Sequence, residues 1–384
     1  MTNFVFHTCK SLIHGAGSVS QATNYLLERS ATNILIVTDP GIIRLNLIAP
    51  LLESLKASGI TYSIFNDVQA DPSENIVLAA VKLAQAQSVE AVIGFGGGSS
   101  MDCAKLVALL AHSDQDLHEV YGVNNATGKR LPLIQIPTTA GTGSEVTPIA
   151  IVTTSNNEKK GVVSPILIAD QVLLDPELTL GLPAEVTAAT GIDAMVHAIE
   201  AFTSKLKKNP ISDCLAKEAL RLLAANIRIA VQHGDDVEAR ERMLLGSMLA
   251  GQAFANAPVA AVHALAYPLG GHFHIPHGLS NSLVLPHVMR FNAAVSSSEY
   301  AELAPFITSP LPGGDEKAIT SQLIDSLQAL IQDLGLPTRL RDMGIAEEQL
   351  EILASDAMKQ QRLLMNNPRK IALEDALAIY QAAY

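Results

Sequence analysis

An aspartate and a histidine stand four residues apart in "TGIDAMVHAIEAF" (190–202), inside an otherwise apolar stretch with helical spacing. On a helix, positions i and i+4 share a face, so Asp193 and His197 can point at one atom. Both side chains are costly in apolar surroundings unless something satisfies them, and a divalent cation would. Two ligands do not complete a site. The stretch "AVHALAYPLGGHFHIPHG" (261–278) supplies His263, His272, His274 and His277 as further candidates. His263 lies in an apolar helical stretch, like His197, and the turn Pro276-His277-Gly278 can present a side chain inward. A lone histidine of this kind is more often a satisfied core residue. The pair, the second cluster and a nucleotide-type loop in one chain together favour a metal. One carboxylate with three imidazoles suits Fe(II) or Zn(II).

A second chemical signal is "GFGGGSSMD" (94–102), between a strand-like run and a helical one. Gly96, Gly97 and Gly98 remove Cβ atoms where a phosphate can approach the backbone. The following helix offers free N–H groups and the positive end of its dipole. Ser99 and Asp102 have the S-x-x-D spacing of a capping box, which predicts the helix start there. The plainer alternative is a tight turn before a capped helix. Asp39 ends an apolar strand, where a carboxylate can bind ribose hydroxyls and disfavour a 2′-phosphate, which points to NAD; it can equally be a turn aspartate ahead of Pro40-Gly41. "PTTAGTGSE" (137–145) offers Thr138, Thr139 and Thr142 as donors to phosphate or ribose, or is a plain loop.

These residues need elements to position them. In the first half, strand-like runs (33–41, 61–68, 89–100, 131–139) alternate with helical patterns (49–59, 74–88, 101–112). That alternation predicts a parallel, doubly wound sheet. Beyond about residue 183, strand-like runs become scarce. Segments 184–203, 212–231, 236–256, 317–334, 347–360 and 372–383 are rich in alanine and leucine at helical spacing. The expected organisation is an α/β nucleotide domain over 1–182 and a helical, metal-binding domain over 183–384.

Composition bounds the function. The 384 residues carry a formal net charge of −12, and acidic surface argues against nucleic acid or an anionic membrane as a partner. Lys205, Lys207 and Lys208 read as a solvated loop. Cys9, Cys103 and Cys214 are scattered and odd in number, which suggests a reducing compartment without a disulfide framework. With no long apolar stretch at the N-terminus and none approaching a membrane span, a soluble cytoplasmic protein is expected.

The stretches "GGGSSMD", "PTTAGTGSE", "TGIDAMVHAIEAF" and "VHALAYPLGGHFHIPHGLSNSLVLPHVMRFN" resemble the iron-containing (group III) alcohol dehydrogenase family. The resemblance covers nearly the whole chain. It implies a dehydroquinate synthase-like fold, a Rossmann-like parallel-sheet domain followed by a helical domain. It also implies a metal held by Asp193, His197, His263 and His277, with His272 and His274 outside the ligand set. NAD would lie on Gly96, Gly97, Gly98 and Ser99 with Asp102 nearby, and on Thr138, Thr139, Thr142, Ile151 and Lys160, with Asp39 at the adenosine ribose. The implied activity is a metal-dependent, NAD(H)-linked alcohol dehydrogenase or aldehyde reductase with Fe2+ (or Zn2+). A hydroxyacid-oxoacid transhydrogenase, or another reductase of the family, is the alternative. A small alcohol or aldehyde is the implied substrate, and a homodimer or larger homo-oligomer the implied assembly. Three positions depart from the family pattern. Tyr267 stands where many members have a histidine suggested as a proton relay, Asp71 where an asparagine is common, and Pro258, near Phe254, where some have glycine.

Overall fold

The computed structural model describes residues 3–155, 158–311 and 313–384. The chain divides into two compact units, His7–Leu180 and Gly181–Tyr384. Residues 3–6 group with the second, helical unit.

The first unit is built on a parallel sheet. Its strands are β1 (Ser11–His14), β2 (Asn33–Val37), β3 (Thr61–Phe65), β4 (Ala91–Gly96), β6 (Leu133–Pro137) and β9 (Gln171–Leu174), in the order β1-β9-β6-β4-β2-β3. Every pairing in it is parallel. A second sheet holds β5 (Gly122–Val123), β8 (Lys159–Val163) and β7 (Ile149–Thr153), with β7 and β8 antiparallel. β4, β6 and β9 are buried along their whole length, which explains why they are apolar apart from Gln135 and Gln171. From β2 the chain moves outward to β3, then returns to the other side of β2 as β4. The order of the strands therefore reverses between β2 and β4. In open α/β sheets ligands bind outside the carboxyl ends of the strands at such a reversal. Here those ends carry Asp39 and the glycine loop. Close packing behind β4 comes from Gly94: a Cβ there would stand 2.0 Å from Gln135 Oε1 and 2.8 Å from Ala104 Cβ.

Strands β1, β9 and β6 are pinned by one buried carboxylate. Asp170 Oδ2 accepts from the Leu133 backbone N–H at 3.1 Å and from Arg130 at 2.6 Å, while Oδ1 accepts from Lys10 at 2.6 Å. Arg130 also donates to the carbonyls of Ile166, Leu131 and Ile168. Burial opposes the charge on Asp170, but the Arg130 and Lys10 bonds hold its carboxyl well below the ordinary carboxylate range.

The second unit is helical. The helix Ala184–Thr203 is buried on every side from Gly191 onward, as expected of a helix apolar all round. Gly191 lets its neighbours approach: a Cβ there would meet Ile227 at 2.7 Å and Met243 at 2.8 Å. Those residues belong to Pro210–Gln232 and Val237–Asn256, which flank it. Helices Ala261–Phe273 and His277–Ile307 carry Pro268, Pro286 and Pro305 in their interiors. Internal prolines interrupt helical periodicity, so the sequence pattern did not delimit these two. No helix among the described residues is long and apolar enough to cross a membrane.

The Asp170 cluster has a checkable pH signature. A carboxyl whose pKa is depressed on folding stabilises the protein above its unfolded pKa, and that contribution is lost as pH falls through the folded value. Asp170→Asn is expected to cost about 1–3 kcal/mol at neutral pH. The gap in urea midpoint between variant and wild type should close as pH is lowered below about 4.

Candidate metal centre and coenzyme loop

Asp193 and His197 lie one turn apart on the buried helix, so their side chains leave it on the same face. His263 comes from the first turn of Ala261–Phe273 and His277 from the start of His277–Ile307. The structure brings the four together: one ligand atom from each lies within 4.8 Å of all the others. Asp193, His197 and His263 are buried, while His277 is partly exposed. The Nε2 atoms of His197 and His263 stand 3.0 Å apart. Asp193 Oδ1 is 3.7 Å from His277 Nε2 and 4.0 Å from His263 Nε2. Phe254 stacks on the His197 ring at 4.3 Å between centroids and shields that side.

Two residues that sequence reasoning did not single out complete the arrangement. Glu200, buried one turn beyond His197, accepts from His263 Nδ1 at 2.7 Å and from the backbone N–H groups of Ala260 and Val262. A carboxylate on Nδ1 fixes the proton there and turns the Nε2 lone pair toward the cluster. Asn281 donates to Asp193 Oδ1 at 2.6 Å, and its Nδ2 lies 3.3 Å from Nε2 of both His263 and His277. Its Oδ1 is buried and has no hydrogen-bond partner. Glu200 had a legible signal, since Asp193, His197 and Glu200 form an i, i+4, i+7 stripe of polar residues on an apolar helix. Asn281 had none, because its role depends on three other segments.

This donor set fits a divalent cation. Burial pushes the Asp193 carboxyl up to about 6, against the pull of His263 and the Asn281 bond. A buried carboxylate facing convergent imidazole nitrogens is a donor set that a divalent metal would satisfy. His272 and His274 stay outside the cluster. His272 pairs with Asp356 at 2.6 Å, and His274 ends its helix at φ 55°. The Tyr267 ring lies 6.0 Å from the His277 ring.

In the first unit, Asp39 and the glycine loop lie at the β2–β4 reversal. Asp39 caps the short helix Pro40–Arg44 through Oδ1, which accepts from Gly41 and Ile42. Its Oδ2 faces Gly96, where a Cβ would stand 3.2 Å away. Gly96 has φ +145°, a conformation that favours glycine. The capping box is not formed. Helix Gly98–Leu110 starts after Gly97, no side chain caps it, and Ser99 lies inside its first turn. An uncapped N-terminus leaves its first N–H groups to an anion. Ser99 Oγ instead accepts from the Asp71 backbone N–H, and Asp71 itself pairs with Lys159 at 2.7 Å. Thr139 and Thr142 pack on this loop: Cβ atoms at Gly97 and Gly98 would lie 3.8 Å and 3.0 Å from their side chains. Thr138 is buried directly after β6, its N–H bonded to the Gly96 carbonyl. Asp102 points away from the loop, its Oδ2 accepting the Ile151 N–H at 2.9 Å. Lys160 is exposed on β8, 5.6 Å from the Tyr121 ring.

The sequence profile described as iron-containing alcohol dehydrogenase matches residues 9–176, and that of the family's C-terminal region matches 187–384. The chain belongs to the iron-containing alcohol dehydrogenase family. Among relatives, it is 37% identical over 384 residues to a sulfoacetaldehyde reductase of Bilophila wadsworthia, covering 99% of each chain. It is 40% identical over 373 residues to long-chain-alcohol dehydrogenase 1 of Geobacillus thermodenitrificans, covering 96% of this chain and 94% of the relative. Among solved structures, a 1,3-propanediol oxidoreductase superposes with a TM-score of 0.96 at 33% identity, covering 100% of both chains. The sulfoacetaldehyde reductase of Bifidobacterium kashiwanohense, solved in complex with NAD+, gives 0.89 at 29% identity, over 100% of this chain and 99% of that one. The expected fold and the expected activity, hydride exchange between an alcohol or aldehyde and NAD(H), stand with that membership.

Two substitutions test the geometry of the centre. Glu200→Gln should lower metal affinity roughly 10–100-fold, read by competition with a chelator. Gly278→Ala places a Cβ 2.3 Å from the Ala189 carbonyl oxygen, one turn before Asp193. It should cost about 1–3 kcal/mol of stability and also weaken metal binding, whereas an unchanged melting temperature and metal content would contradict this packing.

Proposed function

We propose that Asp193, His197, His263 and His277 hold a divalent ion, iron first and zinc as the alternative, and that the loops around Gly96–Ser99 and Thr138–Thr142 hold NAD(H). The observation that carries this reading is the convergence of the four ligand atoms within 4.8 Å, with Glu200 orienting His263. A divalent ion held there supplies Lewis acidity toward an alcohol or carbonyl oxygen, while the hydride chemistry belongs to the nicotinamide.

The chain's own residues do the rest. Glu200 keeps His263 in one tautomer, Asn281 orients Asp193, and Phe254 shields the His197 face from water. Tyr267 takes the relay position with a hydroxyl that both donates and accepts. Asp39 directs one oxygen to the coenzyme's ribose and disfavours a 2′-phosphate, which supports NAD over NADP. Gly96, Gly97, Gly98 and Ser99 offer backbone N–H groups to the pyrophosphate. Thr138, Thr139, Thr142, Ile151 and Lys160 line the same side, and Asp102 supports it from beneath. Relatives named for sulfoacetaldehyde and 1,3-propanediol support a small alcohol or aldehyde as substrate. The free thiols Cys9, Cys103 and Cys214 support a reducing, cytoplasmic setting. A homodimer or larger homo-oligomer is the assembly that the family resemblance supports.

His263→Ala should abolish metal binding and NAD reduction while leaving the fold intact by circular dichroism. Elemental analysis showing full metal content in that variant would refute the ligand assignment. Stripping the wild type with a chelator should abolish activity, and adding back Fe2+ should restore it more fully than Zn2+.

A further inference from the structure

Lys105 lies inside the helix that follows the glycine loop and is fully buried. Its ammonium donates to Asp102 Oδ1 at 3.1 Å, Ser144 Oγ at 2.8 Å, Thr147 Oγ1 at 3.1 Å and the Ile149 carbonyl at 2.6 Å. Burying an ammonium is costly unless it is paired and hydrogen-bonded, and here it is both. Burial pulls its pKa down while Asp102 pulls it back up. Asp102 is equally committed: Oδ1 also accepts from Ser144 Oγ, and Oδ2 takes the Ile151 N–H. One ion pair therefore joins the first turns of the helix, the turn Ser144–Val146 and strand β7. Thr142 Oγ1 accepts the Ser144 N–H at 3.2 Å, and its side chain rests on Gly98. The position of the threonine loop over the helix N-terminus thus runs through Lys105.

The charge balance points the same way. Asp102 sits within two turns of the N-terminus read as the pyrophosphate site, and Glu145, also buried, lies in the adjoining turn. Left unneutralised in a low-dielectric setting, Asp102 would repel a dinucleotide's phosphates. We propose that Lys105 is a positioning residue for the coenzyme, neutralising Asp102 beneath the glycine loop and clamping the Thr142–Thr147 segment onto it. This rests on the reading of that loop as the coenzyme site.

The test is NADH fluorescence titration of the metal-loaded full chain as wild type, Lys105→Met, Asp102→Asn and the double variant. Lys105→Met should weaken NADH binding roughly ten-fold or more. It should raise KM for NAD far more than it lowers kcat, and leave metal content unchanged. The double variant should bind NADH better than Lys105→Met, because it removes the uncompensated carboxylate, but short of wild type, because the clamp stays broken; a purely structural role would leave it no better or worse. The proposal is overturned if a folded Lys105→Met binds NADH within two-fold of wild type, or if the double variant binds no better than the single. If Lys105→Met does not fold, Thr147→Val takes its place, with a several-fold loss of NADH affinity expected and unchanged affinity overturning the clamp. A wild type that binds no NADH removes the coenzyme reading itself, and the proposal with it.

Discussion

A charge placed in an apolar interior must be matched there, and the helical unit is organised around one such match. Asp193 and Glu200 are both buried on a helix that is otherwise apolar on every side. Neither has a lysine or arginine among its hydrogen-bond partners. Glu200 spends its oxygens on two backbone N–H groups and the His263 ring. Those bonds fix the turn into Ala261–Phe273, where Ala260 takes the unusual φ −135°, ψ −126°. From the other side Asn366 donates to the Val259 carbonyl at 3.0 Å. The His263 ring is thereby set by the backbone on either side of its turn. Asp193 is held by Asn281 and faces three imidazoles, yet burial still pushes its carboxyl up to about 6. A divalent ion would offset that cost.

The α/β unit handles buried charge differently, with ion pairs complete in themselves. Asp170 is matched by Arg130 and Lys10, and it fastens the β1-β9-β6 side of the sheet. Lys105 is matched by Asp102 and fastens the turn before β7 to the helix behind the glycine loop. In each case the pair also satisfies backbone groups that no ladder or helix serves. Removing Asp170 would leave Arg130, and removing Asp102 would leave Lys105, as a buried cation without its carboxylate, the costly outcome for such pairs. The contrast between the two units is one of compensation: in the first the buried ion pairs are matched within the protein, and in the second Asp193 and Glu200 are matched by imidazole, amide and backbone groups.

Family membership gives the reaction class, and particular residues of this chain shape its surroundings. Tyr267 sets a phenol ring 6.0 Å from the His277 ring. Asp71 is bound to Lys159 and, through its N–H, to Ser99, which places an ion pair beside the loop.

Much of this was legible in sequence. The alternation of strands and helices gave the parallel sheet, because strands buried on both faces must be continuous apolar runs. Asp193 with His197 was legible because helical geometry alone puts i and i+4 on one face, a local fact. The same reasoning failed for the S-x-x-D box at Ser99, since the glycines let the helix begin earlier and Asp102 found better partners in the Ile151 N–H and Lys105. It passed over Glu200, although the stripe with Asp193 and His197 marks it, and it was silent on Asn281 and Lys105, which look in sequence like ordinary helix residues. The partners of these three lie, for Glu200, 60–63 positions away, for Asn281 up to 88, and for Lys105 up to 44. What sequence determined was therefore the local: periodicity, the ligand types and the glycine loop. Tertiary structure alone decided which buried charges meet, because compensation of a charge in a low-dielectric interior depends on distance in space and not on separation along the chain.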